Sequence, residues 1–470
     1  MSTAESSSLA DLAPAPRRVG GIGWTLAATS FGFVVVQLDV TIVNVAMPQI
    51  GKDLGAGVTG LQWIVDAYTL AFAALLLTAG SFADRFGSRR VFSIGLLLFG
   101  LASLACALAP SIGVLIAARA AQGVGAALIL PTSLSLLSHA CAGDTVARTN
   151  AIGWWSAIGG VVSAAGPVFG GALTSGLGWR SIFFVNLPIC VLGLWAVRRH
   201  VAETVRSSAG RLDVGGQLLA IVALFFLTHA VIEAGVLGWT DWLVLSGFAV
   251  AAVAIAAFVR NESRVAVPMI PLALFRSRTF SAAIVLGVLM NITFYGSIFV
   301  LSLYFQHAKG YTPTVTGLAL LPFTVIMLAN LASGRLARRF TPRVPVVAGF
   351  LLSALGFALL HGVGADTPYL RILPSLLLLA IGAGIGTPAL TSLVLGSVTS
   401  SFSATASAIF GAARQVGSAI GVALFGALLV GLQEQVASGA VFAFDLSAFL
   451  RLAGALIALL FLQAFPRSSE

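Results

Sequence analysis

The sequence predicts an all-α polytopic membrane protein, and three observations predict it. Hydrophobic residues make up 58% of the 470 and charged residues 9%, and the mean hydropathy is +1.01; soluble domains carry about 25% charge. Apolar runs near the roughly 20 residues that a bilayer core demands follow one another almost end to end. The short alternating segments of about ten residues that build a membrane β-barrel are missing.

The elements follow in chain order. The polar start, MSTAESSSLADLAPAPRRVG, reads as a disordered tail over residues 1–22. Arg17 and Arg18 then precede a long first span with no small-residue cleavage site, as in an uncleaved anchor. Fourteen spans are expected. Six form a first bundle: 23–47, broken by Asp39; 61–82, ending at a basic turn; 90–109; 112–138, carrying Arg119; the glycine-rich 148–174; and 180–198, ending at Arg198 and Arg199. Spans at 213–234 and 241–260 make an extra pair. A second bundle comprises 279–304, 315–337, 344–362, 370–397, 404–431 (carrying Arg414) and 441–464. The domain organisation is thus a first bundle over 23–198, a linker with two spans over 199–278, a second bundle over 279–464 and a short tail over 465–470.

Charge placement orients this array. Loops on the side of the termini hold nineteen Lys and Arg, the opposite loops hold Lys52, Arg180, Lys309 and Arg371, and Arg119, Arg414 and Arg451 fall within spans. By the positive-inside rule both termini are cytoplasmic, and a bacterial cytoplasmic membrane is the expected location. The net charge of +10 therefore reports topology, and no nucleic acid partner is expected. Cys106, Cys141 and Cys190 fit neither a disulfide framework nor a metal site. No cofactor is expected.

A faint repeat relates the bundles. GSFADRFGSRR (Gly80–Arg90) follows the second span and GRLARRFTPRV (Gly334–Val344) follows the tenth. The second copy places Arg338 where the first has Asp84, so a latch between helix ends would be asymmetric. In the first copy Asp84 beside Arg85, Arg89 and Arg90 can tie helix ends by charge-assisted hydrogen bonds. Gly80 and Gly87 permit close approach and a tight turn. Parallel repeats of this kind suit a secondary transporter.

Buried ionisable residues carry the chemistry. A carboxylate in hydrocarbon costs at least about 2.5 kcal/mol, so Asp39 needs a reason to be in LDVTIVNVAMPQI. Arg119, in the fourth span at similar depth, can pair with it, and Gln122, one helical turn on, can complete the hydrogen bonding. Two readings stand: a group that loads and releases a proton as its surroundings alternate, or a static ion pair. Asp66, in QWIVDAYTL, is a second acid, either a proton or cation site or a solvated group near the span end. Glu233 falls at the outer end of the seventh span beside Trp239 and Trp242, with His229 one turn earlier as a possible partner. Arg414 has no acid close in sequence, leaving Gln415, backbone carbonyls, another helix's acid or an anionic substrate group as its partner. In GGVVSAAGPVFGG, residues Gly159, Gly160, Gly166, Gly170 and Gly171 allow tight helix packing while Pro167 kinks the span. Trp63, Trp154, Trp155, Asn291, Tyr295, Tyr304, Phe305, Asn330 and Gln415 are expected around a central cleft, a mixture suited to an amphipathic organic compound.

Several of these stretches resemble the major facilitator superfamily. Gly-x-x-x-Asp-Arg-x-Gly-x-Arg-Arg is similar to its cytoplasmic gating loop, and RAAQGVGAALILP to its intramembrane Arg-x-x-Gln-Gly element. GGVVSAAGPVFGG is similar to the Gly-Pro element of its proton-driven exporters. LDVTIVNVAMP resembles the first-helix motif of its fourteen-span drug:H+ antiporters, and LYFQHAKG (Leu303–Gly310) a segment of the actinomycete methylenomycin-resistance exporters within that family. The resemblance implies two six-helix bundles plus two helices, alternating access, and proton coupling through Asp39 and Arg119. Protons, a small drug-like molecule and the lipid bilayer are the implied partners, and a monomer is expected. A uniporter or a substrate:H+ importer is the alternative. A sensor is disfavoured because no loop is long enough for a signalling domain. An enzyme is disfavoured because no catalytic constellation or phosphate-binding loop is present.

Overall fold

The computed structural model describes residues 21–142, 144–204, 213–265, 268–399, 402–430 and 436–462. Arg17, Arg18, Arg206, Arg211, Arg467, the side chain of Arg338 and the 465–470 tail lie outside the described residues, as does all but the end of the 1–22 tail. Each expected span is met by helix. The first bundle is α1 (Ile22–Leu54), α2 (Val58–Phe86), α3 (Ser88–Ala107), α4 (Ile112–Ala140), α5 (Thr145–Leu177) and α6 (Ser181–His200). The extra pair is α7 (Val214–Leu237) and α8 (Trp242–Glu262). The second bundle is α9 (Arg278–Leu303), α10 (Pro313–Ala337), α11 (Arg343–Ala358), α12 (Tyr369–Gly396), α13 (Ser403–Val430) and α14 (Val436–Phe461).

Length and composition qualify twelve described helices to cross a membrane, or thirteen if α5, bent by 40°, counts as one span. At sixteen residues α11 is shorter than the rest. The count of fourteen crossings thus exceeds what length alone supports. α10 is also less regular than its apolar run suggests. A 3-10 turn at Leu321–Val325 interrupts it beside Pro322, which lacks the N–H that a continuous helix uses.

Side-chain oxygens start several helices: Asp144 accepts from Ala147 N at 2.8 Å, Asp213 from Gly216 N at 2.8 Å, and Asp241 from Leu243 N at 2.8 Å. Gly55 ends α1 at φ 65°, a left-handed conformation natural to glycine. Large apolar side chains such as Leu101, Trp195, Val253, Leu370 and Phe449 point outward, the arrangement expected of a surface facing lipid.

Three cores organise the interior. At the end away from the termini, one continuous apolar core joins both bundles, with Ile42, Met47 and Ile50 packed together with Phe299, Phe305, Phe425 and Phe444. Toward the termini each bundle has its own core, with Ala412 of α13 and Leu77 of α2 bridging them along the seam. Val35, Phe72, Phe92 and Phe99 belong to the first bundle, and Phe280, Leu286, Phe350 and Leu390 to the second. The bundles meet along α2–α13 and α5–α10. The α7–α8 pair covers the first of these seams. Gly235 of α7 packs so closely on Ala427 that a Cβ there would lie 2.6 Å from its Cα. Gln217 Nε2 donates to Ala74 O at 2.9 Å.

Candidate functional site

Asp39 is completely buried inside the first bundle, where α1 meets α4 and α6. Arg119 Nη1 donates to Asp39 Oδ2. Gln122 Nε2 donates to Asp39 Oδ1 at 2.8 Å, and Asn186 Nδ2 to the same oxygen at 3.1 Å. The guanidinium also donates through Nε to Ile64 O at 3.0 Å and through Nη1 to Gln122 Oε1 at 2.7 Å, while lying 4.4 Å from the Tyr68 ring centroid. Ser103 accepts from Gln122 at 2.8 Å. Five helices therefore converge on one ion pair, and its charges are compensated within the bundle. Removing one partner of such a pair costs about 3–5 kcal/mol because the other is left buried and unpaired.

The glycines of α5 serve two neighbours. A Cβ at Gly159 would strike the Phe33 ring, at Gly166 the Thr41 hydroxyl and at Gly170 Ile42 O, all on α1. On the other face, a Cβ at Gly171 would come within 2.4 Å of Pro313 O, and Gly317 of α10 packs against Pro167 O. Thr314 Oγ1 donates to Gly171 O at 3.1 Å and pairs with Ser175 Oγ at 2.9 Å. The same helix thus seats α1 within its own bundle and closes the far end against the other.

Between the bundles lies a cavity of about 200 Å3. Its walls include Gln37 and Thr41 of α1, Gly160, Ser163 and Pro167 of α5, Asn291 and Tyr295 of α9, Asn330 of α10, and Arg414 of α13. Phe294, Phe323 and Met327 supply its apolar surface. Gln37 and Thr41 flank Asp39 in sequence, but about 200° of helical rotation separates each from it. In this conformation the carboxylate is shielded from the cavity.

The 80–90 turn is built differently from its expectation. Asp84 is exposed and forms no ion pair among the described residues. Instead Glu203, beyond α6, accepts from Arg89 N at 2.9 Å and Arg90 N at 3.2 Å, capping the start of α3. Gly87, at φ 93°, leaves room for it, since a Cβ there would meet the Glu203 carboxyl at 2.6 Å. Arg89 Nη2 donates to Arg198 O at 2.8 Å. Arg85 lies over Phe86, at 5.5 Å from its ring centroid, and Gly80 faces open space.

A sequence model of the Major Facilitator Superfamily matches residues 29–422. The chain belongs to that superfamily. It is 43% identical over 408 residues to the methylenomycin A resistance protein of Streptomyces coelicolor, covering 87% of this chain and 86% of that one. It is 40% identical over 406 residues to the multidrug resistance protein Stp of Mycobacterium tuberculosis (strain H37Rv), covering 86% and 75%. The crystal structure of the peptide transporter POT in complex with sulfate shares the fold, with a TM-score of 0.69 over 94% of each chain at 17% identity.

Within this superfamily fold, the residues singled out from sequence fall in several places. Asp39, Arg119 and Gln122 come together, and Asn291, Tyr295, Asn330 and Arg414 share the cavity wall. Asp66 is completely buried, and neither carboxylate oxygen has a partner among the described residues. It stands one turn beyond Gln62, which reaches Ala423 O of α13 at 2.6 Å across the seam. Other aromatic positions lie elsewhere. Trp63 packs on Phe225 and His229 of α7, Trp155 stacks on Phe33 at 3.7 Å, and Trp154 is 66% exposed on the outer surface. Gln415 is half-buried beside Arg414 and is not among the cavity-lining residues. Tyr304 and Phe305 belong to the far-end core. His229 and Glu233 approach to 3.9 Å. Sequence reading missed Asn186, Ser103 and Glu203, because an amide, a hydroxyl and a loop acid are unremarkable until the helices assemble.

Proposed function

We propose that this superfamily member is a proton-coupled exporter of a small amphipathic organic compound of the drug or antibiotic class, working by alternating access. The buried Asp39–Arg119–Gln122–Asn186 cluster, beside a cavity shared by both bundles, carries this reading. The printed names of the relatives, resistance to methylenomycin A and multidrug resistance, support the substrate class and the outward direction. The proton load resides on Asp39, with Arg119 and Gln122 setting its surroundings and Asp66 as a second acid at the seam. The 80–90 turn gates the side of the termini. The nineteen-to-four loop asymmetry supports cytoplasmic termini, fourteen crossings and a bacterial cytoplasmic membrane. On that orientation the joined core seals the outside and the conformation is inward-facing. The working unit is a monomer.

Purified protein in proteoliposomes with an imposed pH gradient and an internal pH dye tests the reading. Candidate antibiotics and lipophilic dyes should each drive proton movement in the wild type, and Asp39→Asn should abolish it while still inserting. Substrate transport indifferent to the gradient would replace antiport with a uniporter, and full coupling in Asp39→Asn would remove Asp39 from the mechanism.

A further inference from the structure

The cavity wall carries one charged side chain, and it is a cation. Gln37, Asn291, Tyr295 and Asn330 offer neutral polar groups, Arg414 offers a guanidinium, and no Asp or Glu among the described residues lines the cavity. Arg414 forms no ion pair among the described residues, and its buried Nε has no hydrogen-bond partner. Its guanidinium lies over the Phe410 ring, 5.9 Å from the centroid. A second guanidinium stands behind the same wall. Arg451 of α14 is 1% exposed; its Nη2 donates to Met290 O at 3.1 Å, and Nε and Nη1 have no partner. Met290 itself lines the cavity. The acid of the first bundle does not offset these cations, because Asp39 is already paired with Arg119. Asp66 is not among the lining residues.

Arg451 is buried and Arg414 half-buried, each without a counterion among the described residues, and low-dielectric walls focus their field into the cavity. A carboxylate entering that space gains two parallel charge-assisted hydrogen bonds from a guanidinium; an ammonium entering it meets that guanidinium's repulsion, with neutral amides and aromatic rings but no carboxylate to offset it. We infer that the transported compounds are carried as anions: compact amphipathic organic acids whose acidic group docks on Arg414 while the apolar body packs against Phe294 and Phe323. This rests on the export reading and narrows its substrate class. The cavity of about 200 Å3 lies below the usual range of drug-sized sites, which favours small acids over extended ones.

The test uses one ring skeleton with three charges: naphthoate, naphthamide and naphthylmethylammonium, titrated calorimetrically into the purified full chain at neutral pH. Naphthoate should bind at least about tenfold tighter than naphthamide, as expected for a hydrogen bond to a charged group, and the ammonium weakest of all. Arg414→Gln should bring naphthoate down to the naphthamide level and leave naphthamide unchanged, whereas Arg414→Lys should keep part of the preference. Equal binding of all three, no binding by any, an ammonium preference, or a naphthoate preference that survives Arg414→Gln would each overturn the inference. The wild-type series decides the charge preference even if a variant fails to fold. Proton movement in proteoliposomes separates the two readings. Coupled export of the ammonium would uphold export and remove anion selection, while naphthoate selection without proton movement would do the reverse.

Discussion

Asp39 collects its donors from α4 and α6, two helices far from it in sequence, and Asp66 collects none. Both acids were legible, since a carboxylate inside an apolar run stands out against its surroundings. Their different fates were not. Asp39 is stabilised by a completed network, so replacing it leaves Arg119 buried and unpaired. Asp66 is buried at a cost that nothing in this conformation offsets, so Asp66→Asn should raise the melting temperature of the purified protein while slowing proton-coupled transport; a lower melting temperature would mean that Asp66 is held by structure instead. The 80–90 turn makes a similar point. Glu203→Ala should cost about 0.5–2 kcal/mol, the usual range for a lost helix cap, because Arg89 N and Arg90 N lose their acceptor. Asp84→Asn should stay within about 0.5 kcal/mol, as an exposed group away from such features. Denaturant or thermal unfolding of the two variants side by side checks the contrast, and equal losses would contradict it.

Among the elements, α5 links local chemistry to movement. Its glycine spacing was visible in the sequence, but the partner of each glycine was not: Gly159, Gly166 and Gly170 take α1, and Gly171 takes the other bundle. A methyl group at Gly171 meets backbone atoms of Pro313 and Thr314, which cannot rotate away as a side chain can. Gly171→Ala should therefore push α5 from α10 and weaken the far-end seal, seen as a longer distance between spin labels on the far ends of α5 and α10. An unchanged distance distribution would show that the seal tolerates the methyl. The break in α10 was readable in principle from Pro322. The flanking residues are nevertheless apolar enough to extend the span on hydropathy alone.

For the whole molecule, the joined core at one end and the two distinct cores at the other describe two bundles joined at the far end and divided toward the side of the termini. Superfamily membership accounts for the paired bundles. The α7–α8 pair adds a cover over the α2–α13 seam, and Gln217 ties it to α2. If transport requires the far end to open, a bond across it must stop transport. Ser175→Cys with Thr314→Cys places two thiols where the hydroxyls now lie 2.9 Å apart, and the three native cysteines are buried. Oxidation of this pair should abolish substrate movement in proteoliposomes and reduction should restore it. Undiminished transport by the oxidised protein would exclude opening at this seam.

The sequence by itself determined what is local to each segment: which runs prefer hydrocarbon, which side the basic loops favour, where Pro and Gly bend or thin a helix, and which charges are buried. These follow from the transfer free energy of one span at a time. Tertiary structure decided everything that depends on neighbours: that Asn186 joins Arg119 on Asp39, that Glu203 and not Asp84 anchors the 80–90 turn, that Arg414 lines the cavity while Trp154 faces outward. Helices in a bilayer gain little from hydrophobic association, so close packing of small residues and a few interhelical hydrogen bonds choose their partners. The bonds on Asp39 and at the 80–90 turn join residues 80 to 147 positions apart.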